Sequence, residues 1–202
     1  MHQLFVTQIY QSKIKELNKS DLKDLKSEIF KILKADILGQ KWSEKNYVNG
    51  YSSYGSWDQL NKLSSSFADL EKYINPHVNK FAKTLDFNIK KSDLKMNSIW
   101  VNIMPEGALH ASHIHPLSVI SGTFYVEVPP KASSIKFEDP RLGLFMNTPA
   151  TKEHAKKVNL RFYSLEPKAG ELVLFESWLK HEVPMNKSKS PRISISFNYG
   201  WS

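Results

Sequence analysis

The chain contains no cysteine, which excludes disulfides, thiolate zinc sites and cysteine nucleophiles. No apolar run approaches the ~18–20 residues that span a bilayer. The opening "MHQLFVTQIYQSK" lacks a basic leader followed by a long apolar stretch, so a cytoplasmic protein with no membrane partner is expected. Internal repeats, low-complexity segments and linkers are also missing. A single domain, 1–202, is therefore expected, and the 41% hydrophobic content can fill one core. Basic runs interleaved with aromatics are absent too. The net charge of +8 comes from lysines that punctuate an amphipathic pattern, as in "SKIKELNKSDLKDLKSEIFKILK". This reads as a solvated lysine-rich surface, and a nucleic-acid partner is not indicated.

What is present divides into two parts of different period. Residues 1–93 read as a helical, buttressing part. From Ser20, the residues Leu22, Leu25, Ile29, Ile32 and Leu33 recur at helical spacing, with Asn18 or Ser20 as N-cap. Residues 44–57, "EKNYVNGYSSYGSW", read as an ordered loop. Phe67, Leu70 and Ile74 mark a second helix, interrupted at Asn75-Pro76, where Pro76 suits the first position of a third carrying Val78 and Phe81. From residue 94 the period is two. "NSIWVNIM", "TFYVEV", "SIKFED", "LRFYSL", "ELVLFE" and "RISISFNYG" are short strands separated by turn signals. No helical pattern lies between them, which disfavours a parallel βαβ sheet. The expected fold is mostly β with N-terminal helices (α+β), a jelly roll or barrel over 94–202 buttressed by helices.

The stretch "LHASHIHP" places three of the seven histidines within six positions. On a strand over 109–115, alternation puts His113 and His115 on one face and His110 on the other. The Cα atoms of His113 and His115 are then two strand rises, about 6.6 Å, apart, so both imidazoles can converge on one ion. The third ligand must come from elsewhere, and His181 in "FESWLKHEV" is the best candidate. A surface strand also produces a His-x-His pair by chance. His2, His77 and His154 read as ordinary surface histidines.

The last strand adds a second signal. Arg192, Ser194, Ser196 and Asn198 alternate with Ile193, Ile195, Phe197 and Tyr199, and over 119–128 Ser121, Thr123 and Tyr125 oppose Gly122, Phe124 and Val126. A solvated outer face would explain this alternation. If both polar faces line one interior, they form a pocket beside the histidines in which Arg192 suits a carboxylate, because its planar fork binds both oxygens.

The order His-x-His, "SGTFYVEVP", "FEDPR", "PKAGELVLFESWLKHEVPMN", "RISISFN" resembles the iron(II)/2-oxoglutarate-dependent dioxygenases, and more specifically an oxygenase branch of marine bacteria and their phages. The resemblance covers roughly residues 96–199, and more weakly "LFVTQIY". It implies a double-stranded β-helix, with Fe(II) or another divalent metal held by His113, His115 and His181. Arg192 matches the residue that pairs with the distal carboxylate of 2-oxoglutarate, Ser194 its hydroxyl companion, and Tyr125 a tyrosine reaching the same carboxylate. Asn102 and Trp100 lie on a strand that often lines the cosubstrate site. The implied reaction consumes 2-oxoglutarate and O₂, releases succinate and CO₂, and hydroxylates an unidentified substrate. A homodimer is compatible with the sequence.

One departure stands out. The usual triad is two histidines and a carboxylate, and His115 stands in place of the acid. Three neutral imidazoles leave the metal with a higher net charge, so the cosubstrate's carboxylate becomes a larger part of the balance. Alternatively, His115 does not bind and a water completes a two-histidine site. Two rivals stay open: a cupin-type metal-binding jelly roll, which lacks its expected glutamate after the second histidine, and a non-enzymatic β-sandwich. Residues 44–57 and 138–158 are candidates to cover the barrel mouth.

Overall fold

The computed structural model describes residues 1–201. In chain order the elements are β1 (Ile9–Lys13), α1 (Lys19–Ala35), α2 (Ile37–Asn46), β2 (Tyr51–Ser52), α3 (Leu60–Leu63), α4 (Ser65–Thr84), β3 (Leu94–Met104), β4 (His110–His113), β5 (Ile120–Glu127), β6 (Ile135–Glu138), β7 (Phe162–Leu165), β8 (Glu171–Glu176), β9 (His181–Val183) and β10 (Arg192–Trp201). Two antiparallel sheets face each other. One has the order β1-β8-β5-β10-β3-β2, the other β4-β9-β6-β7. From β3 onward, successive strands alternate between the two sheets, apart from the β6–β7 hairpin within the smaller one, in a jelly roll, the double-stranded β-helix expected from the sequence. Among the described residues, no helix is long and apolar enough to cross a membrane.

The period-two segments explain which face goes where. Ile193, Ile195, Phe197 and Tyr199 on β10, with Phe124 on β5 and Leu172 and Leu174 on β8, are buried in one cluster with Leu25, Ile29 and Ile32 of α1 and Phe67, Leu70, Ile74, Val78 and Phe81 of α4. The helices thus cover the apolar face of the larger sheet. The polar alternates turn to the other side, toward the smaller sheet. Gly122 is required by close approach in this layer. A Cβ there would lie 2.5 Å from the Phe197 ring and 2.6 Å from Leu174.

The N-cap of α1 is Asn18, whose side chain accepts from the N–H groups of Ser20 and Asp21 while Asp21 accepts from the Asn18 N–H. Pro76 does not divide the second helical stretch: α4 runs unbroken through it. Phe67, Leu70 and Ile74 before it and Val78 and Phe81 after it form one buried stripe. Burying them, at about 1.5–3 kcal/mol each, outweighs an interior-proline penalty of ~3 kcal/mol. α2 has no counterpart in the sequence reading, because its apolar residues Ile37 and Leu38 are exposed and it buries Gly39 and Ser43 instead. Asp36 caps it through Gly39 N–H and also accepts from the Tyr51 and Ser56 hydroxyls. The first 93 residues also supply β1 and β2, the two edges of the larger sheet.

Candidate metal centre

Pairing of β4 with β9 sets His113 opposite His181. His115 lies just past β4 and is held differently. Its N–H donates to the Ser177 carbonyl at 3.0 Å. Ser177 is fixed in turn by its hydroxyl's 2.7 Å contact with Ser121, which donates to Asn198 Oδ1 at 2.7 Å. One ligand-capable atom from each of His113, His115 and His181 lies within 4.8 Å of the others. The Nε2 atoms of His115 and His181 are 3.3 Å apart. Two nitrogens bound at right angles to one metal at about 2.0–2.1 Å lie about 3 Å apart, so this spacing suits a shared ion.

Hydrogen bonds select the tautomers. The Nδ1–H of His113 donates to Ala111 C=O at 2.7 Å, and that of His181 to Leu179 C=O at 2.8 Å. A carbonyl only accepts, so each proton sits on Nδ1 and each Nε2 lone pair faces the cluster. Burial, with further depression from the neighbouring imidazoles, pushes His181 down to about 2 and His115 to about 4; burial also lowers His113. The rings are therefore neutral near pH 7, the form a metal needs.

His110 does not take the opposite face predicted by simple alternation. The β4–β9 register shifts between His110 and His113, and this bulge, one extra residue on β4, reverses the parity. His110 stacks on His113 with ring centroids 4.1 Å apart, edge-on to Tyr47 at 4.9 Å.

Across the cavity from the histidines, Ser194 of β10 pairs with Asn102 of β3 and with Tyr125 of β5, forming one row on the interior face. Arg192 is 2% exposed, with its guanidinium 4.9 Å over the Tyr125 ring, Nη1 3.3 Å from Met104 Sδ and 3.5 Å from Ser194 Oγ. Among the described residues, Arg192 Nε, Tyr125 OH and Asn102 Oδ1 are buried without a hydrogen-bond partner. The Asn102 amide contacts Ser196 Oγ at 3.0 Å. With the amide turned over, the Ser196 hydroxyl donates to the oxygen, and the NH₂ becomes a free donor. Unpaired donors around a buried guanidinium are what an incoming carboxylate satisfies. Three neutral imidazoles suit a borderline divalent metal such as iron. The residues present therefore fit both groups implied by the sequence.

The structure brings His113, His115, His181, Asn102, Arg192 and Ser194 to one narrow cavity of about 30 Å³, also lined by His110, Tyr47 and Trp100. Tyr125 lies beneath the guanidinium. From residues 44–57, Tyr47 touches this cavity and Tyr54 packs on Trp100 at 4.9 Å. The segment 138–158 does not line it. Together with Met1–Thr7, that segment bounds a larger cavity of about 730 Å³, which has Phe137 and Leu179 in its wall and shares no lining residue with the first. The histidine cluster and the buried arginine lie in the smaller one. His77 is half-buried and bonded to the Tyr10 hydroxyl at 2.7 Å, tying α4 to β1.

Residues 98–198 match the model of a 2OG-Fe(II) oxygenase family. No curated protein matches the chain in sequence. Among solved structures, the chain is similar to the non-heme α-ketoglutarate-dependent epimerase SnoN from nogalamycin biosynthesis, at 12% identity over 96% of this chain and 76% of that one, TM-score 0.65. It is similar to HygX from Streptomyces hygroscopicus, solved with nickel and 2-oxoglutarate bound, at 12% identity over 98% and 84%, TM-score 0.63. A Pseudomonas putida prolyl-4-hydroxylase follows at 14% identity over 97% and 94%, TM-score 0.61. At these identities the likeness carries the fold. The family match covers half the chain and contains the three histidines and the arginine row. By that match, the chain belongs to the family of 2-oxoglutarate- and iron(II)-dependent oxygenases.

Proposed function

We propose that this protein hydroxylates an unidentified primary substrate, with His113, His115 and His181 holding Fe(II) and Arg192, Ser194 and Tyr125 taking the distal carboxylate of 2-oxoglutarate. The observation that carries this reading is the meeting, at one cavity, of three converging imidazoles and a buried arginine with an unpaired Nε. When bound, iron and 2-oxoglutarate together activate O₂ and oxidise a substrate C–H to C–OH, with succinate and CO₂ as co-products. The protein's own residues do the positioning. Ala111 and Leu179 carbonyls fix two imidazole tautomers, and the Ser121–Ser177–Asn198 network holds the backbone of His115. Asn102 supplies an amide donor beside Ser194.

A five-carbon diacid needs more room than about 30 Å³, so the side chains that line the cavity would have to give way to admit it. A metal-binding jelly roll without a cosubstrate would leave the buried Arg192 Nε and Tyr125 OH with nothing to bind. In this reading, residues 1–202 act as one domain, with 94–202 carrying the site and 1–93 buttressing it. The cytoplasm remains the proposed compartment, the marine bacterial and phage branch the proposed affiliation, and a homodimer an allowed assembly. Anaerobic titration with Fe(II) and then 2-oxoglutarate tests the proposal. A visible absorption band from chelation, followed by succinate on admitting O₂, is expected. Absence of both sinks it.

A further inference from the structure

The bulge in β4 has turned a fourth imidazole toward the cavity. His110 lines it together with Arg192, Met104 and Val183, stacked on His113 and backed by the edge of Tyr47. His113 and His181 each spend Nδ1 on a backbone carbonyl, whereas no described residue hydrogen-bonds the His110 ring. Its ring is also not one of the three whose nitrogens converge on a shared point. The His110 ring is partly exposed and opens on the cavity, so its N–H is available to a ligand entering there. Had β4 kept regular alternation, His110 would sit on the outer face and solvent would satisfy it. The extra residue re-aims it inward.

We propose that His110 is a cosubstrate-binding residue, whose ring N–H donates to a carboxylate oxygen of 2-oxoglutarate lying between His113 and Arg192. This rests on the function proposed above and adds a contact to it. Stacking on His113 fixes the plane of the His110 ring, and Tyr47 blocks its retreat. The donor is therefore preorganised for an acceptor inside the cavity. With His115 in place of an acid, no protein carboxylate competes for that donor in the histidine cluster.

Two substitutions separate this role from simple packing. His110→Phe keeps an aromatic ring to stack on His113 and removes the donor. His110→Gln keeps an amide donor and removes the ring. Mn(II) affinity is read by electron paramagnetic resonance, and 2-oxoglutarate affinity by anaerobic calorimetry on the Mn(II)-loaded protein. The expected result is near-parental Mn(II) binding in both variants, with 2-oxoglutarate weakened about ten-fold or more in His110→Phe and largely retained in His110→Gln. The reverse order, Phe retaining cosubstrate and Gln losing it, would assign His110 a stacking role and overturn the proposal. Equal cosubstrate affinity in all three proteins overturns it as well. If the parent itself binds neither Mn(II) nor 2-oxoglutarate, the functional reading of the whole site fails, which is a separate outcome.

Discussion

His113 and His181 face each other across the β4–β9 ladder, ring centroids 4.3 Å apart, although 67 positions separate them in the chain. Each donates Nδ1–H to a carbonyl two residues earlier in the chain, Ala111 on β4 and Leu179 in the turn before β9. The two strands therefore present matched lone pairs to the same space. That arrangement makes metal binding the first property to test.

His181→Ala is expected to lower Mn(II) or Fe(II) affinity at least a hundred-fold, because it removes one of the three proposed ligands. Arg192→Ala should leave metal affinity within a few-fold of the parent. Metal titrations followed by paramagnetic resonance check both. Unchanged metal binding in His181→Ala would mean that the imidazole cluster is not the site.

Arg192→Ala should weaken 2-oxoglutarate binding by about 2–5 kcal/mol, thirty-fold or more, since it removes a charged partner from a buried pocket. Arg192→Lys should recover only part of this, keeping the charge and losing the fork. Ile193→Ala, one position along on the helix-facing side of the same strand, should cost about 2–5 kcal/mol of stability by opening a cavity. The cosubstrate affinity of its folded fraction should not change. Calorimetry with Mn(II) and urea unfolding read the two effects separately.

Ser121→Ala should act on the metal through His115. The Ser121 hydroxyl links Ser177 to Asn198, and the Ser177 carbonyl holds the His115 N–H. Loosening a group that orients a ligand typically costs about ten- to a hundred-fold in metal affinity. Metal titration that matches the parent, with unfolding midpoints also unchanged, would show that the network does not position His115.

Acid should destabilise the metal-free protein earlier than carboxylate protonation requires. The folded-state values of His110, His115 and His181 lie at about 3, 4 and 2, below the ordinary 6.5. Between those values and 6.5 the unfolded chain binds more protons than the folded one. Stability is therefore complete above 6.5 and falls as pH drops below it. For His181, which is 5% exposed, the loss is about 1.4 kcal/mol per pH unit. Urea midpoints of metal-free protein at pH 7.5 and 5 should differ accordingly, and His181→Gln should flatten the slope. Saturating metal, which binds the neutral rings, should extend the stable range to lower pH.

The sequence by itself determined the sheet faces, because alternation has one reading when a strand is regular. Ile193, Ile195 and Phe197 had to turn one way, and Arg192, Ser194 and Ser196 the other. It also supplied the three ligand candidates and the arginine, since residue type and motif order are local properties. Tertiary structure alone decided four things. Register across β4–β9 brought His181 to His113. The bulge in β4 swung His110 inward, against the parity that the letters "LHASHIHP" imply, because an extra residue shifts every later side chain by one face. The continuous α4 passed through Pro76 because its buried stripe on the sheet outweighed the local cost of proline. The short α2 formed around a capped, buried Asp36 rather than an apolar stripe, so no periodicity announced it. Each of these depends on a partner distant in sequence or on the sum of many burials, and neither is written in any single segment.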